Sequence, residues 1–134
     1  AMIPGTHGST FGGNPLAMRS ANAVLDLLLE DDFFKSLREN ITYFDNKMDA
    51  LINDDDKVSE VILSKKGSGM LRGFQLTENI AAGDFGNISR EKGLLLVGAA
   101  ENTIRLLPPL NTSKEEIDQA FEILSEVVKE IKKN

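Results

Sequence analysis

The sequence contains no cysteine and no tryptophan, and only one histidine and one tyrosine among its 134 residues. Without cysteine there is no disulfide, no thiolate metal ligand and no cysteine nucleophile. A reducing cytoplasm is the simplest home for such a chain. A single imidazole, His7, leaves too little material for a metal centre, and none is expected. Positive charge is also scarce. Fifteen Lys and Arg stand against 21 Asp and Glu, for a net charge of −6. A chain of that balance has no broad attraction for nucleic acid or for anionic membranes, so neither is expected as a partner. Any anion site must be local, built from backbone N–H groups, hydroxyls or a placed cation. No apolar run approaches the roughly 20 residues needed to span a bilayer, and no charged-then-apolar leader is present.

What is present suits one compact domain, with 41% hydrophobic residues. Residues 3–13 hold four glycines and no apolar period, which reads as loop. Asn14-Pro15 reads as a helix start, with Asn at the cap and Pro in the first turn. Leu16, Ala17, Ala21, Val24, Leu25 and Leu28 continue at helical spacing, and the helix should end near Leu29. Asp31-Asp32 opens a second helix whose stripe is Leu37, Ile41, Phe44, Met48 and Leu51. The run Asn53-Asp54-Asp55-Asp56 stops it, because acids oppose the dipole at a helix C-terminus. Val58–Leu63 predicts a strand, Lys65–Gly69 a turn, and Met70–Leu76 the antiparallel partner. A short helix is expected over 82–92, closed by Gly93. Strands are expected over Leu94–Val97 and Thr103–Leu107, turned by Glu101-Asn102 and ended by Pro108-Pro109. Thr112 or Ser113 caps a last helix, with Ile117, Phe121, Leu124, Val128 and Ile131 as its stripe and Lys132-Lys133 at its negative end. The order α-α-β-β-(α)-β-β-α predicts an α+β fold: an antiparallel sheet of three to four strands with helices packed mainly on one face.

Two segments could carry chemistry. The first is Gly5-Thr6-His7-Gly8-Ser9-Thr10-Phe11-Gly12-Gly13-Asn14-Pro15. It offers glycine-freed N–H groups, the adjacent hydroxyls of Ser9 and Thr10, and a following helix, which together suit a phosphate. It is equally a flexible Gly-rich linker on spacing alone. The second is Arg105, a guanidinium inside the apolar run Thr103-Ile104-Arg105-Leu106-Leu107. An unpaired charge in such a setting is costly, so it either holds an anion, with carboxylate as the best geometric match, or faces outward on a half-exposed strand. Lys66-Gly67-Ser68-Gly69-Met70-Leu71-Arg72-Gly73 is also motif-like. A tight turn whose small residues permit close packing explains it without a ligand. His7 reads as a loop residue, and the acids at 53–56 lack the spacing of a calcium loop.

These segments together resemble the class III aminotransferases, and most of all the acetylornithine branch with its ornithine and succinylornithine relatives. Pro4 to Ala17 is similar to the family's join between large and small domains, Ile104 to Leu110 to its substrate-carboxylate motif, and Lys66 to Gly73 to its small-domain hairpin. The resemblance runs over the whole chain. It departs at Met18-Arg19-Ser20, where the family has smaller residues, and at Lys66, where it often has Arg. The resemblance implies the small C-terminal domain of a fold-type I enzyme dependent on pyridoxal 5'-phosphate. Residues 1–13 would be the inter-domain Gly-rich segment and 14–134 the C-terminal domain. Thr10, with Ser9 beside it, would reach the cofactor phosphate bound by the neighbouring subunit of a homodimer. Arg105 would hold the carboxylate of the amino donor and of 2-oxoglutarate. The implied reaction is amino transfer from N-acetylornithine to 2-oxoglutarate in arginine biosynthesis. The family's catalytic lysine lies upstream of Gly5, and Ala1-Met2 running straight into Ile3-Pro4-Gly5 reads as a start inside a longer protein. The 134 residues alone are therefore expected to be inactive, with no catalytic residue among them. Alternatives are another member of the family, acting on ornithine, 4-aminobutyrate or succinylornithine, or a free-standing non-catalytic α+β interaction module.

Overall fold

The structure, a computed structural model, describes residues 3–53 and 58–132. Ala1-Met2, Asp54 to Asp56 and Lys133 lie outside the described residues. The chain divides into two compact units, Ala1–Ser36 and Leu37–Asn134.

In the first unit, a series of turns leads into helix α1, Pro15–Leu28. Asn14 caps it as expected, its Oδ1 accepting the N–H of Ala17 at 2.9 Å. The helix ends at Leu28 with Leu29 as its C-cap. Its apolar stripe follows the expected spacing, yet no residue of α1 is buried.

The second unit carries the core. Helix α2, Phe33–Asn53, starts in the first unit and buries Leu37, Phe44, Met48 and Leu51, with Ile41 half-buried. A single 3-10 turn, Val58–Glu60, stands where a strand was expected. Strand β1 is Ile62–Ser68 and β2 is Leu71–Leu76. The expected turn at Lys65–Gly69 is thus largely strand, and only Gly69 and Met70 turn the chain. The physical reason is tertiary. Lys65 reaches two carboxylates of α2, which favours extending a segment whose glycines and lysines have little strand preference of their own. Helix α3, Ala82–Glu91, matches its expected span, and Gly93 follows at φ +92°. Strand β3 is Val97–Ala99, three residues later than expected, and β4 is Thr103–Leu106. Glu101 and Asn102 both adopt the left-handed region, at φ 57° and 49°. Helix α4, Lys114–Ile131, starts with a reciprocal cap: Ser113 Oγ accepts the N–H of Glu116, and Glu116 Oε2 accepts the N–H of Ser113.

The four strands form one antiparallel sheet in the order β1-β2-β4-β3. Alternation sorts its residues onto two faces. Ile62, Phe74, Leu76, Ile104 and Leu106 are buried and face the helices, where Phe44 of α2 meets Phe121 of α4 edge to face at 5.5 Å. Phe85 of α3 and Leu124, Val127 and Val128 of α4 complete this core. The opposite face carries Lys66, Leu71, Gly73, Val97 and Arg105. It leaves Leu71 52% and Val97 61% exposed.

Candidate functional site

The expected site residues fall in different units. Ser9 and Thr10 belong to the first, on an exposed turn just before α1. The turn is closed by Gly12 N–H donating to Ser9 O at 3.4 Å and Asn14 N–H donating to Phe11 O. Neither hydroxyl has a hydrogen-bond partner among the described residues, so both are free to meet a ligand. Gly13, at φ +75°, makes the bend into the helix without the strain a side chain would bring. His7 is exposed.

Arg105 lies in the second unit, at the centre of β4. Its register partners are Gly73 on β2 and Val97 on β3, and Gly73 in turn faces Lys66 on β1. Lys66, Gly73, Arg105 and Val97 therefore form one row across the sheet on the face away from the helices. Arg105 is exposed and has neither an ion-pair nor a hydrogen-bond partner among the described residues. It borders a shallow groove of about 130 Å³ whose other walls include Lys66, Leu71, Gly73, Ala99 and Thr103. Of the two readings of Arg105 left open by its strand, the outward-facing one describes its position. The groove is what makes that position more than an exposed charge.

The cations nearby differ sharply in how they are held. Arg72 is the neighbour of Gly73 but points to the helix face, where its side chain is only 12% exposed. Its Nη2 pairs with Asp45 Oδ1 at 2.8 Å, while Nε and Nη1 donate to Gly69 O and Gly67 O, each at 3.0 Å. Lys65 contacts Asp49 at 2.7 Å and Asp45 at 3.1 Å, and these hydrogen bonds, Asp49 first, raise its pKa above the usual lysine value. Lys66 is paired with Glu101 at the surface, and that contact lowers the Glu101 pKa. Sequence reasoning placed Lys65 and Lys66 together in an exposed turn. Strand alternation sends them to opposite faces, and only the pairing register, which the sequence does not display, aligns Lys66 with Arg105.

The hairpin glycines act as the plainer reading held. A Cβ on Gly67, at φ +91°, would lie 2.2 Å from Leu71 O. A Cβ on Gly73 would lie 2.7 Å from Thr103 Cγ2 and 3.0 Å from Ile104 O. A larger cleft of about 430 Å³ lies near Phe44, Leu106, Pro108, Ile117 and Glu116. Its lining has no cation, and Glu116 is already engaged in the cap of α4. Among the described residues there is no metal-ligating cluster, and no helix is long and apolar enough to cross a membrane.

An α+β domain with an open sheet face, a placed arginine and a hydroxyl-bearing glycine turn narrows the class. The family model for class III aminotransferases matches residues 1–128. The chain belongs to the class III aminotransferases. Within that family it is 40% identical to the acetylornithine aminotransferase of Streptococcus mutans, over 95% of this chain and 32% of that protein. It is also 40% identical to the ornithine aminotransferase of an Exiguobacterium species, over 93% of this chain and 29% of the relative. Among solved structures, the acetylornithine aminotransferase of Elizabethkingia anophelis superposes with a TM-score of 0.78 at 30% identity, covering 96% of this chain and 32% of that one. The ornithine aminotransferase of Plasmodium yoelii superposes at 0.80 with 29% identity, covering 96% and 33%. The chain spans about a third of the length of the relatives it matches. Its fold is the corresponding third of a fold-type I aminotransferase.

Proposed function

We propose that these residues form the small C-terminal domain of an acetylornithine-type aminotransferase, in which Arg105 binds the carboxylate of the amino donor and of 2-oxoglutarate. Residues 1–13 are the segment that joins this domain to the large one, and 14–134 are the domain itself. The observation that carries the reading is the state of Arg105: a guanidinium facing a groove, without a counter-ion among the described residues. Arg72, one strand away, shows that this fold pairs its arginines where it uses them for structure.

The family's cofactor is pyridoxal 5'-phosphate, which supplies the electron sink for moving an amino group between an amino acid and an oxo acid. What this chain offers suits its phosphate. The hydroxyls of Ser9 and Thr10 are exposed and uncommitted among the described residues, on a turn that runs into a helix N-terminus. Thr10 donates to the phosphate held by the neighbouring subunit of a homodimer, and Ser9 assists beside it. Arg105 orients the substrate by gripping its carboxylate with two parallel N–H donors, which fixes the plane of the acid as well as its position. The proton carrier is supplied outside these residues, so the 134-residue chain alone transfers no amino group. The most similar relatives favour N-acetylornithine as donor and a place in arginine biosynthesis, in the cytoplasm; ornithine is the second reading, favoured by the ornithine aminotransferases at comparable identity.

Steady-state kinetics on the enzyme that contains this chain test the assignment. Losing one charge-assisted bidentate contact costs about 1.5–3 kcal/mol, so Arg105→Ala should raise KM for both the amino donor and 2-oxoglutarate by roughly 10- to 100-fold. Unchanged constants for both substrates would remove Arg105 from the site.

A further inference from the structure

The row that carries Arg105 also carries Lys66, and between them stands a residue without a side chain. Two strand spacings separate the Lys66 and Arg105 backbones, about 10 Å, a gap that both long side chains can close from opposite sides. Gly73 is buried between them. It is the floor of the groove, and any side chain there would meet Thr103 Cγ2 and Ile104 O. The space above it, about 130 Å³, exceeds the roughly 30 Å³ share of one water several-fold, which is room for a carboxylate group. Two cations thus converge on one small cavity in a chain of net charge −6.

We propose that Lys66 and Arg105 form a single carboxylate slot floored by Gly73, and that Glu101 is a tethered internal carboxylate filling the Lys66 half when no acid is bound. This rests on the reading of Arg105 and adds a second specificity-determining cation to it. The Lys66–Glu101 pair is built to exchange. Its side chains are 37% and 71% exposed, so the pair is weak and breaks at little cost. Lys65, one residue earlier, is held by two carboxylates and is not available in this way. Glu101 sits in the β3–β4 turn at φ 57°, two residues after Ala99, which lines the same groove. An incoming carboxylate takes its two parallel contacts from Arg105 and a third from Lys66, while Glu101 swings to solvent. The slot therefore favours an acid over its neutral amide or ester by two charges rather than one.

The test is an NMR titration of the 134-residue chain with 2-oxoglutarate, reading the backbone amides of Lys66, Gly73 and Arg105. All three should shift together and saturate. Lys66→Met should weaken binding about fivefold, the scale of a partly exposed ion pair. Lys66→Arg should restore it, and Glu101→Gln should tighten it by removing the internal competitor. These side chains are at the surface, so the variants keep the fold. Arg105→Ala should abolish saturation. If Arg105→Ala abolishes binding while Lys66→Met and Glu101→Gln leave the affinity unchanged, the slot is wrong and the reading of Arg105 survives. Shifts indifferent to Arg105→Ala overturn both. Absence of a saturable shift at Gly73 in the unaltered chain overturns the slot.

Discussion

The two faces of the sheet use the same side chains for opposite ends. Toward the helices, every cation is spent: Arg72 on Asp45 and two turn carbonyls, Lys65 on Asp45 and Asp49. Away from the helices, Lys66 has one exposed partner and Arg105 has none among the described residues. The apolar residues divide the same way, with Phe74 and Ile104 fully buried while Leu71 and Val97 are mostly exposed. One face therefore holds the domain together, and the other is left with unsatisfied charge and surface that this chain does not cover. Stability and binding are separable here by strand alternation alone.

The largest effect that would sharpen this division is in the core. Phe74→Ala should cost about 3–5 kcal/mol in urea unfolding, while Val97→Ala on the other face should stay within about 0.5 kcal/mol. Similar losses at both would mean that the open face is not open in solution. Next come the two arginines. Arg72→Ala removes a nearly buried ion pair and two carbonyl contacts and should destabilise by about 2–3 kcal/mol, whereas Arg105→Ala should leave the midpoint unchanged within about 0.5 kcal/mol. A large stability loss from Arg105→Ala would assign it a structural partner and erase the contrast. The smallest effect is in alkali. Contact with Asp49 and Asp45 raises the Lys65 pKa in the folded state. Its contribution is therefore fully present below the unfolded lysine value of about 10.4 and is lost as pH rises through the higher folded value. Thermal melts between about pH 9 and 12 should show a shallower alkaline decline in Lys65→Met than in the parent, and no such change in Lys66→Met.

Much of this was legible in the residues. Asn14-Pro15 and Ser113 with Glu116 announce helix starts through local hydrogen bonds, and local chemistry survives into the fold unchanged. The stripe of α4 reads correctly because its period is imposed by burial on one side. What failed was set by distant partners. Lys65 to Ser68 looks like a turn by composition and becomes strand because α2 supplies carboxylates beneath it. The start of β3 slips to Val97 because pairing with Arg105, not the leucines at 94–96, decides where the ladder begins. At the site, Arg105 stood out as a charge in an apolar run. Lys66 and Glu101 did not, since nothing in the linear order shows that residues 66, 73 and 105 share a row. The stripe of α1 was also legible, but as a pattern without burial in this chain.

Asn102 bears on all of this from the bend between β3 and β4. At φ 49° it occupies a conformation that glycine would enter more easily. Yet its side chain accepts the N–H of Ala82 at 3.0 Å and donates to Thr77 O and Ile80 O, closing the open start of α3 from a remote strand turn. Replacing it with glycine would relax one backbone and orphan three polar groups on another. The bend is thereby riveted to a helix, and the acid next to it, Glu101, hangs from an anchored hinge rather than a loose one.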